Sequence, residues 1–231
     1  MRAVILAAGK GERLGAITQN IPKPMIKIAG KPVLEHNVLM CKKNGVDDIL
    51  INLHYLPLTI KNYFGDGNKW GVNINYIYET KLLGTAGTVR NSKDLLNMPF
   101  FVIYGDNYFS NDFDMCAIRK FHEKNHSDFT IVLSQLDDIS QSGIVELTRD
   151  CKISRFIEKP INARSNNSWV NAGMYFMVPK ILEKIDNGYS DFANDVIPLL
   201  IDDDFNVYGY KMIKKVLPID TPELHEKSIN N

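Results

Sequence analysis

The chain has 231 residues, of which 45% are hydrophobic and 23% are charged, a composition typical of a globular protein rather than a disordered one. Its 27 lysines and arginines are balanced by 27 aspartates and glutamates, so the formal net charge is zero. This balance argues against sequence-independent binding of nucleic acid, and any positive charge that binds an anion must be local.

No stretch of the sequence has the pattern of a secretory or membrane segment. The first residues, MRAVILAAG, reach glycine after about six apolar positions, too few for a signal peptide, and no apolar run approaches the roughly 20 residues of a membrane span. Cys41, Cys116 and Cys151 are widely spaced and form no CxxC pair. We therefore expect reduced thiols in a cytoplasmic protein that does not bind membranes.

Apolar runs alternate with helical patterns through the first 134 residues. Short apolar runs predict strands, and apolar residues three or four positions apart predict helices. The predicted strands are 3–8, 48–53, 74–78, 99–104 and 129–133, and the predicted helices are 33–44, 57–64, 85–96 and 115–124. Strand–helix units of this length indicate an α/β protein with a mainly parallel sheet and helices on both faces.

The pattern changes after about residue 134. Three predicted strands, 143–147, 153–158 and 170–178, follow one another without helices between them. Helical stretches at 179–185 and 191–201 and a strand at 207–211 complete the chain. Since no Pro- or Ser-rich linker interrupts it, we predict a single domain, 1–231, with one lobe of about 1–134 and another, more antiparallel, of about 135–231.

The segment LAAGKGERL follows the first predicted strand and has the composition of an anion-binding loop. Gly9 and Gly11 fit the start of a dinucleotide fingerprint, but Leu14 stands where its third glycine should be, and no Gly-Lys-Ser/Thr follows. Two glycines after a strand allow backbone amides to face an anion, and Lys10 and Arg13 add positive charge. A strand-to-helix turn that is simply basic explains this stretch equally well.

Two further residues are expected at the carboxyl ends of strands, where ligands bind in open α/β sheets. Lys23 lies between Pro22 and Pro24, which stiffen its backbone; the alternative is a surface lysine in a turn. Asp106 follows a buried strand and a glycine, which suits a Mg²⁺ ligand; the alternative is a helix cap or an Asx-turn.

Other polar residues at predicted strand ends are ambiguous when taken singly. Gly84 and Thr85 begin a predicted helix shortly after Glu79, and Thr85 could equally be a simple N-cap. Further candidates are Glu158-Lys159 before a proline, Asn171 inside an apolar strand and Asp220 before a predicted helix. His122 and His126, four positions apart, could bind a metal, but a solvated helix face is favoured.

Seven motifs occur in order along the chain: AAGxGxRL, PKPM, LGTAG, GDN, FIEKP, NAGMY and DTPE. Together they closely resemble the sugar-1-phosphate nucleotidyltransferases (nucleoside-diphosphate-sugar pyrophosphorylases), from Met1 to about Glu226. The resemblance implies a Rossmann-like sheet and synthesis of nucleotide sugars, such as those that supply cell-surface polysaccharides. Because the sequence ends at Asn231, we expect no C-terminal β-helix of the kind that many longer relatives carry.

The resemblance also implies a role for each matching residue. Arg13 would bind the departing β- and γ-phosphates, Lys23 would neutralise charge near the α-phosphate, and Asp106 and Asp220 would hold Mg²⁺. Arg13, Lys23 and Asp106 are thus the implied catalytic residues. The implied nucleotide-binding residues are Leu6, Ala7, Ala8, Gly9, Gly11, Glu79, Gly84 and Thr85, and the implied sugar-phosphate-binding residues are Gly143, Glu158, Lys159 and Asn171.

The substrates implied are a nucleoside triphosphate and a sugar 1-phosphate. The LGTAG segment looks like that of the mannose-1-phosphate and heptose-1-phosphate guanylyltransferases, which favours GTP and a manno-configured sugar. Uridylyl, thymidylyl or cytidylyl transfer to glucose 1-phosphate or another phosphorylated acceptor is the alternative. A regulatory sensor of nucleotide sugars and a glycosyltransferase are less favoured, and the sequence leaves a homodimer open.

Overall fold

The computed structural model describes residues 1–110, 113–135, 142–159, 169–212 and 216–218. The strands are β1 (Arg2–Leu6), β2 (Lys27–Ile28), β3 (Lys31–Pro32), β4 (Asp48–Leu53), β5 (Asn73–Tyr78), β6 (Phe100–Tyr104), β7 (Asn107–Tyr108), β8 (Phe129–Gln135), β9 (Ile144–Leu147), β10 (Ile153–Ile157), β11 (Trp169–Met177), β12 (Val207–Lys211) and β13 (Leu217–Pro218). The α-helices are α1 (Val33–Lys43), α2 (Pro57–Phe64), α3 (Gly84–Asn91), α4 (Met115–Lys124) and α5 (Ile197–Asp202). Short 3-10 helices cover Glu12–Thr18, Lys23–Met25, Asn68–Trp70, Lys93–Leu95 and Pro179–Lys184, and a π-helical turn covers Phe192–Val196.

The first of two compact units comprises Met1–Leu82, Val102–Met115 and Val216–Asn231. In the large sheet, β6, of which residues 102–104 belong to this unit, lies next to β1, followed by β4 and β5, and β4 pairs in parallel with both β1 and β5. Because the carboxyl ends of parallel strands lie at the same edge of a sheet, the loops after β1, β4 and β5 all leave from that edge. The buried apolar residues of β1, β4 and α1 form the core: Ala3, Val4, Ile5, Ile49, Leu50, Ile51, Val33, Leu34, Val38, Met40 and Cys41.

The second unit comprises Leu83–Phe101 and Cys116–Lys215. Its strands are ordered β10, β9, β11, β8, β12; β12 is parallel to β8, and the other pairs are antiparallel. Phe129, Tyr175 and Phe192 form its aromatic core, with ring centroids 5.0 to 5.8 Å apart. Parallel strand pairs, antiparallel strand pairs and helices all occur in the chain, as the α/β prediction requires. The predicted lobe boundary near residue 134 stays a prediction.

Most predicted elements agree closely with the structure, and β4, α2, α4 and β12 have the predicted bounds. The helix predicted over 85–96 instead ends at Asn91 and is followed by a 3-10 turn. Ser92 ends the α-helix: its hydroxyl donates to the Thr88 carbonyl at 3.0 Å, a local bond that competes with helix continuation.

The stretch predicted as one helix over 191–201 is a π-helical turn followed by α5. Asp191 caps the turn, since its carboxylate accepts hydrogen bonds from the backbone N–H groups of Ala193 and Asn194 at 2.9 and 3.0 Å. Pro198 is the second residue of α5 and has no N–H to donate back to the preceding turn. The proline therefore marks the point at which the helix type changes.

The interpretation of His122 as part of a solvated helix face is wrong, because the residue is only 4% exposed. The Thr130 hydroxyl donates to Ser127, so it accepts a hydrogen bond from His122 Nδ1, at 2.8 Å. His126, by contrast, is exposed. His122 is thus a buried core histidine.

Candidate active site

The loop after β1 turns sharply at Gly11. This residue has a φ of 67°, in the left-handed region. A Cβ there would lie 3.0 Å from Lys23 Cβ and 3.0 Å from Thr18 Cγ2. The Gly11 carbonyl accepts hydrogen bonds from Thr18 Oγ1 at 2.8 Å and from the Leu14 N–H at 3.0 Å. Both its backbone conformation and its close neighbours therefore require glycine at this turn.

Lys23 is a buried lysine, only 7% exposed, and not the surface lysine of the alternative interpretation. It begins a 3-10 turn that Pro24 continues, and its carbonyl accepts a hydrogen bond from the Ile26 N–H at 3.1 Å. Ile26, which follows the turn, belongs to a buried apolar cluster with Leu14, Ile28 and Val33, and Ile21, which precedes Pro22, packs against this cluster. The backbone of Lys23 is thus fixed by packing as well as by its two flanking prolines.

Asp106 lies in the turn between β6 and β7, and its Oδ2 accepts a hydrogen bond from Lys23 Nζ in an ion pair. The preceding Gly105 donates its N–H to the Leu6 carbonyl at 2.9 Å, and a Cβ on Gly105 would lie 2.7 Å from that oxygen. Glycine therefore allows this turn to approach the end of β1. The arrangement brings Asp106 beside the opening loop.

The loop, the ion pair and Leu82 line a cavity of about 420 Å³, all within the first unit. Its lining residues are Gly9, Lys10, Gly11, Glu12, Arg13, Lys23, Leu82 and Asp106. Three of these residues are cationic and two are acidic, and Lys10 and Arg13 are exposed. Lysine and arginine around a glycine-containing loop suit a phosphate chain, which accepts hydrogen bonds and carries negative charge.

Asp106 is a suitable ligand for Mg²⁺, which in nucleotide sites takes one or two carboxylates and completes its shell with phosphate oxygens and water. The predicted second ligand, Asp220, lies outside the described residues. Across 1–110, 113–135, 142–159, 169–212 and 216–218, no group of three or more His, Cys, Asp or Glu residues could hold a metal. A single carboxylate of this kind suits a Mg²⁺ ion whose other ligands are phosphate oxygens and water.

Asn52, which the sequence analysis did not single out, joins the opening loop to Glu79. Its Oδ1 accepts a hydrogen bond from the Ala7 N–H at 2.6 Å, and its Nδ2 donates to Glu79 Oε1 at 2.8 Å. Asn52 and Glu79 are 4% and 7% exposed. The available signal was a single amide side chain in the otherwise apolar second half of DILINL.

Glu79 follows β5 directly, and its backbone is held on both sides. Its N–H donates to the Leu53 carbonyl at 2.9 Å, and its carbonyl accepts from His54 Nδ1 at 2.8 Å. Since a carbonyl can only accept, His54 carries its proton on Nδ1 in this contact. The main chain and the carboxylate of this predicted base-binding residue are thus both anchored.

Gly84 and Thr85, also predicted to bind the nucleotide, belong to the second unit. Gly84 begins α3 at a φ of 76°, where a Cβ would lie 2.4 Å from the Ser190 carbonyl oxygen. The Thr85 hydroxyl donates to Asp191 at 2.8 Å and accepts from the Phe192 N–H at 2.9 Å. Thr85 therefore lies inside the first turn of α3 and is not its N-cap; its role with a base stays a prediction.

The predicted sugar-phosphate residues come together within the second unit. The Asn171 N–H donates to the Gly143 carbonyl at 2.9 Å, and a Cβ on Gly143 would lie 2.7 Å from Glu158 Oε2. Lys159 Nζ is 3.6 Å from Glu158 Oε1. The Asn171 side chain is fixed by Tyr175, whose hydroxyl accepts from Nδ2 at 2.7 Å.

Glu158 is the acid in this group whose titration is perturbed. Burial raises its pKa above the ordinary value, and the charge of Asp191 raises it further, whereas Lys159 opposes both. A carboxylate with a raised pKa beside a lysine can accept hydrogen bonds from hydroxyl groups while the lysine binds an anion. This chemistry is suited to a phosphorylated, hydroxyl-rich ligand.

Residues 2–215 match the family described as nucleotidyl transferase. The chain belongs to this family, and the resemblance inferred from its motifs is confirmed. In the parts of the chain that the structure describes, none of the helices is both long and apolar enough to cross a membrane.

Two relatives show which substrates occur among similar proteins. A mannose-1-phosphate guanyltransferase from Yarrowia lipolytica is 34% identical over 224 residues, covering 92% of this chain and 60% of that protein. A UTP–glucose-1-phosphate uridylyltransferase from Synechocystis is 34% identical over 229 residues, covering 92% of this chain and 58% of that protein. The chain thus spans about three fifths of the length of these relatives.

Solved structures match almost the whole chain. HddC from Yersinia pseudotuberculosis is 28% identical with a TM-score of 0.83, covering 99% of this chain and 98% of that one. The same protein complexed with GMP-PN has a TM-score of 0.81. A UDP-glucose pyrophosphorylase complexed with UDP-glucose is only 19% identical but has a TM-score of 0.83, covering 99% of this chain and 97% of that one. These likenesses confirm the predicted fold class, a mixed, mainly parallel sheet with helices.

Proposed function

We propose that the protein is a nucleotidyltransferase that joins a nucleoside triphosphate to a sugar 1-phosphate. An oxygen of the sugar phosphate attacks the α-phosphorus in line, a new P–O bond forms, and the bond between the α-phosphorus and the bridging oxygen breaks. Pyrophosphate leaves with that oxygen and its electron pair. Such transfers depend on positioning and charge neutralisation rather than on a protein nucleophile.

The observation that carries this proposal is the Lys23–Asp106 ion pair on the wall of the cavity beside the Gly9–Arg13 loop. Phosphoryl transfer needs a fixed cation close to the phosphates and a carboxylate able to hold a metal. Both groups occur here on backbones that packing or close contacts keep in place. Family membership favours this interpretation over other uses of an anion site.

The loop residues divide the work between binding and charge neutralisation. Backbone groups from Ala8 to Gly11 approach the phosphates, Arg13 binds the leaving β- and γ-phosphates, and Lys23 neutralises charge near the α-phosphate. Mg²⁺ would be held by Asp106, together with Asp220, and would offset the negative charge of the phosphates. On the sugar side, Lys159 binds the phosphate, while Glu158 and Asn171 hydrogen-bond with sugar hydroxyls above Gly143.

For the substrates, GTP and a mannose- or heptose-type sugar 1-phosphate are our first choice. The guanyltransferase relative and the structure of HddC with GMP-PN support GTP. Glu79 also fits, because a carboxylate accepts hydrogen bonds and guanine presents two neighbouring N–H donors. UTP with glucose 1-phosphate is the second candidate, because the uridylyltransferase relative is just as similar in sequence.

A pyrophosphate-release screen tests the proposal. It combines GTP, CTP, UTP, dTTP and ATP with the 1-phosphates of mannose, glucose, N-acetylglucosamine and heptose, each with Mg²⁺ and with EDTA. We expect one nucleotide–sugar pair to dominate and to require Mg²⁺. Nucleotide binding with no pyrophosphate release in any combination would contradict the proposed activity and favour a sensor of nucleotide sugars.

A further inference from the structure

We infer that Asn52 is a positioning residue for base discrimination: it holds the start of the opening loop and the carboxylate of Glu79 in a fixed relation to each other. This inference deepens the proposed function and rests on it. Asn52 has no place in any motif of the sequence, and its assignment comes from two hydrogen bonds and their burial.

Asn52 reaches both partners from the middle strand of three. In the sheet, Asn52 of β4 is the register partner of Leu6 on β1 and of Ile77 on β5. Its side chain therefore lies beside the point where each neighbouring strand ends, accepting from the Ala7 N–H at 2.6 Å and donating to Glu79 Oε1 at 2.8 Å. A single side chain thus links the loop to the end of β5.

The chemistry of the two partners requires an amide at this position. The Ala7 N–H can only donate, and Glu79 Oε1 accepts, so the residue between them must offer one acceptor and one donor. Asparagine offers both and has no charge. An aspartate of the same shape would place a second carboxylate against Glu79, and an alanine would leave the buried N–H and carboxylate without this partner.

Packing alone does not explain asparagine here. The neighbouring positions Ile49, Leu50, Ile51 and Leu53 of β4 are apolar and at most 1% exposed. A polar residue that is 4% exposed in such a strand is costly unless the hydrogen bonds of its side chain are satisfied. Asn52 satisfies them with the loop and with the predicted base-binding residue, which points to the nucleotide site.

Fixing Glu79 matters because discrimination between bases depends on an oriented acceptor. A buried, correctly aimed carboxylate rewards a base with donors at that place and penalises one that leaves it unpaired. If Glu79 can rotate away, a base without matching donors no longer pays this penalty, and the affinities for different bases become more similar. Loss of Asn52 should therefore reduce selectivity for the base more than it affects recognition of the sugar phosphate.

The test measures the equilibrium binding of the five nucleoside triphosphates by calorimetric titration, with Mg²⁺ and without sugar phosphate. The proteins are wild type, Asn52→Ala, the isosteric Asn52→Asp, Glu79→Gln and the double variant Asn52→Ala/Glu79→Gln. Asn75→Ala is the control, since Asn75 is an exposed asparagine of the adjacent strand β5. Thermal unfolding of each variant shows which of them are folded.

We expect the affinity ratio between the best and second-best nucleotide to fall on the order of tenfold in Asn52→Ala and in Asn52→Asp, and to stay at the wild-type value in Asn75→Ala. In the Glu79→Gln background, Asn52→Ala should reduce the ratio no further, because Asn52 acts through Glu79. KM for the sugar phosphate should stay within about twofold in active variants.

If folded Asn52→Ala and Asn52→Asp keep the wild-type affinity ratio between the best and second-best nucleotide, the assignment is overturned. It is also overturned if Asn52→Ala lowers this ratio as much in the Glu79→Gln background as it does in the wild-type background. Wild-type protein that binds nucleotide selectively but releases no pyrophosphate refutes the proposed function, while the binding ratios still decide the role of Asn52. Wild-type protein that binds none of the five nucleotides overturns both.

Discussion

Lys23 and Asp106 are 83 positions apart in the sequence, and they form an ion pair. Lys23 is the more deeply buried partner, since its side chain is 9% exposed against 27% for Asp106. Removing one member of a buried pair leaves the other charge uncompensated, at a cost of a few kcal/mol. The pair also connects the cation that would face the phosphates to the carboxylate that would hold the metal, so each residue influences the position of the other.

Lys23→Ala and Arg13→Ala should each lower kcat for pyrophosphate release at least tenfold, roughly 1.4 kcal/mol or more of barrier. The reason is the loss of a cation at the phosphates. The controls are Lys27→Ala and Arg149→Ala, which remove exposed cations that do not line the cavity. Activity near the wild-type value in either cavity variant would contradict the role given to that residue.

Asp106→Asn should raise the Mg²⁺ concentration that gives half-maximal activity on the order of tenfold, because a neutral amide is a weaker ligand than a carboxylate. The measurement is a Mg²⁺ titration of pyrophosphate release at saturating nucleotide. Asp47→Asn, which changes an exposed carboxylate elsewhere in the first unit, should leave the titration unchanged. An unaltered Mg²⁺ requirement in Asp106→Asn would argue against metal binding by Asp106.

Gly11→Ala should weaken nucleotide binding beyond the effect of backbone strain. A left-handed φ costs an alanine roughly 1 kcal/mol, and here the new Cβ also lies 3.0 Å from Lys23 Cβ. The matched control is Gly45→Ala, whose φ of 71° is similar but whose Cβ would meet nothing within 4 Å. Both variants should lose stability, and only Gly11→Ala should bind nucleotide more weakly in a calorimetric titration. Equal nucleotide affinity in the two variants would show that the contact with Lys23 is unimportant.

The sequence predicted much of the first unit because its signals are local. Apolar runs defined β1 and β4, and the rule that ligands bind at the carboxyl ends of parallel strands grouped Arg13, Lys23 and Asp106, which all line one cavity. The pairing of Lys23 with Asp106 could not be predicted, because the two residues are distant in sequence and each has other candidate partners. The pairing depends on the close approach of the turn between β6 and β7 to the end of β1, which Gly105 allows because it has no Cβ.

Asn52 shows a second limit of sequence reasoning. A lone polar residue in a buried strand is a signal that something must satisfy it, but the pattern does not identify the partner. The partners here, Ala7 and Glu79, are neighbours only because β1, β4 and β5 share one sheet in a particular register. His122 was misinterpreted for a similar reason: its helical position was visible, whereas its burial against Thr130 came from tertiary packing.

His122 should make the protein lose stability in mild acid. Burial lowers its pKa from 6.5 to about 4, although Asp128 opposes the shift. The unfolded chain then binds a proton near pH 6.5 that the folded chain does not, so this contribution to stability is complete above pH 6.5 and is lost as the pH falls towards 4. The full loss, reached below both pKa values, is roughly 3 kcal/mol.

Urea unfolding between about pH 7.5 and about pH 4.5 tests this, because the contribution of His122 changes between its unfolded pKa of 6.5 and its folded pKa of about 4. His122→Leu should lose less stability on acidification than wild type, whereas His126→Asn, an exposed substitution that tolerates the left-handed φ of 47°, should behave like wild type. The same acid slope in His122→Leu and wild type would assign the loss to other groups.

Glu158→Ala should raise KM for the sugar 1-phosphate on the order of tenfold, about 1.4 kcal/mol, and leave KM for the nucleotide within about twofold. The carboxylate is held close to Gly143 and beside Lys159, where it would accept hydrogen bonds from sugar hydroxyls. The control is Glu146→Ala, an exposed glutamate on β9 of the same unit, which should change neither constant. Initial rates with each substrate varied in turn separate the two KM values. A rise confined to KM for the nucleotide would show that Glu158 contacts the nucleotide and not the sugar phosphate. If neither KM changes, Glu158 does not belong to the site.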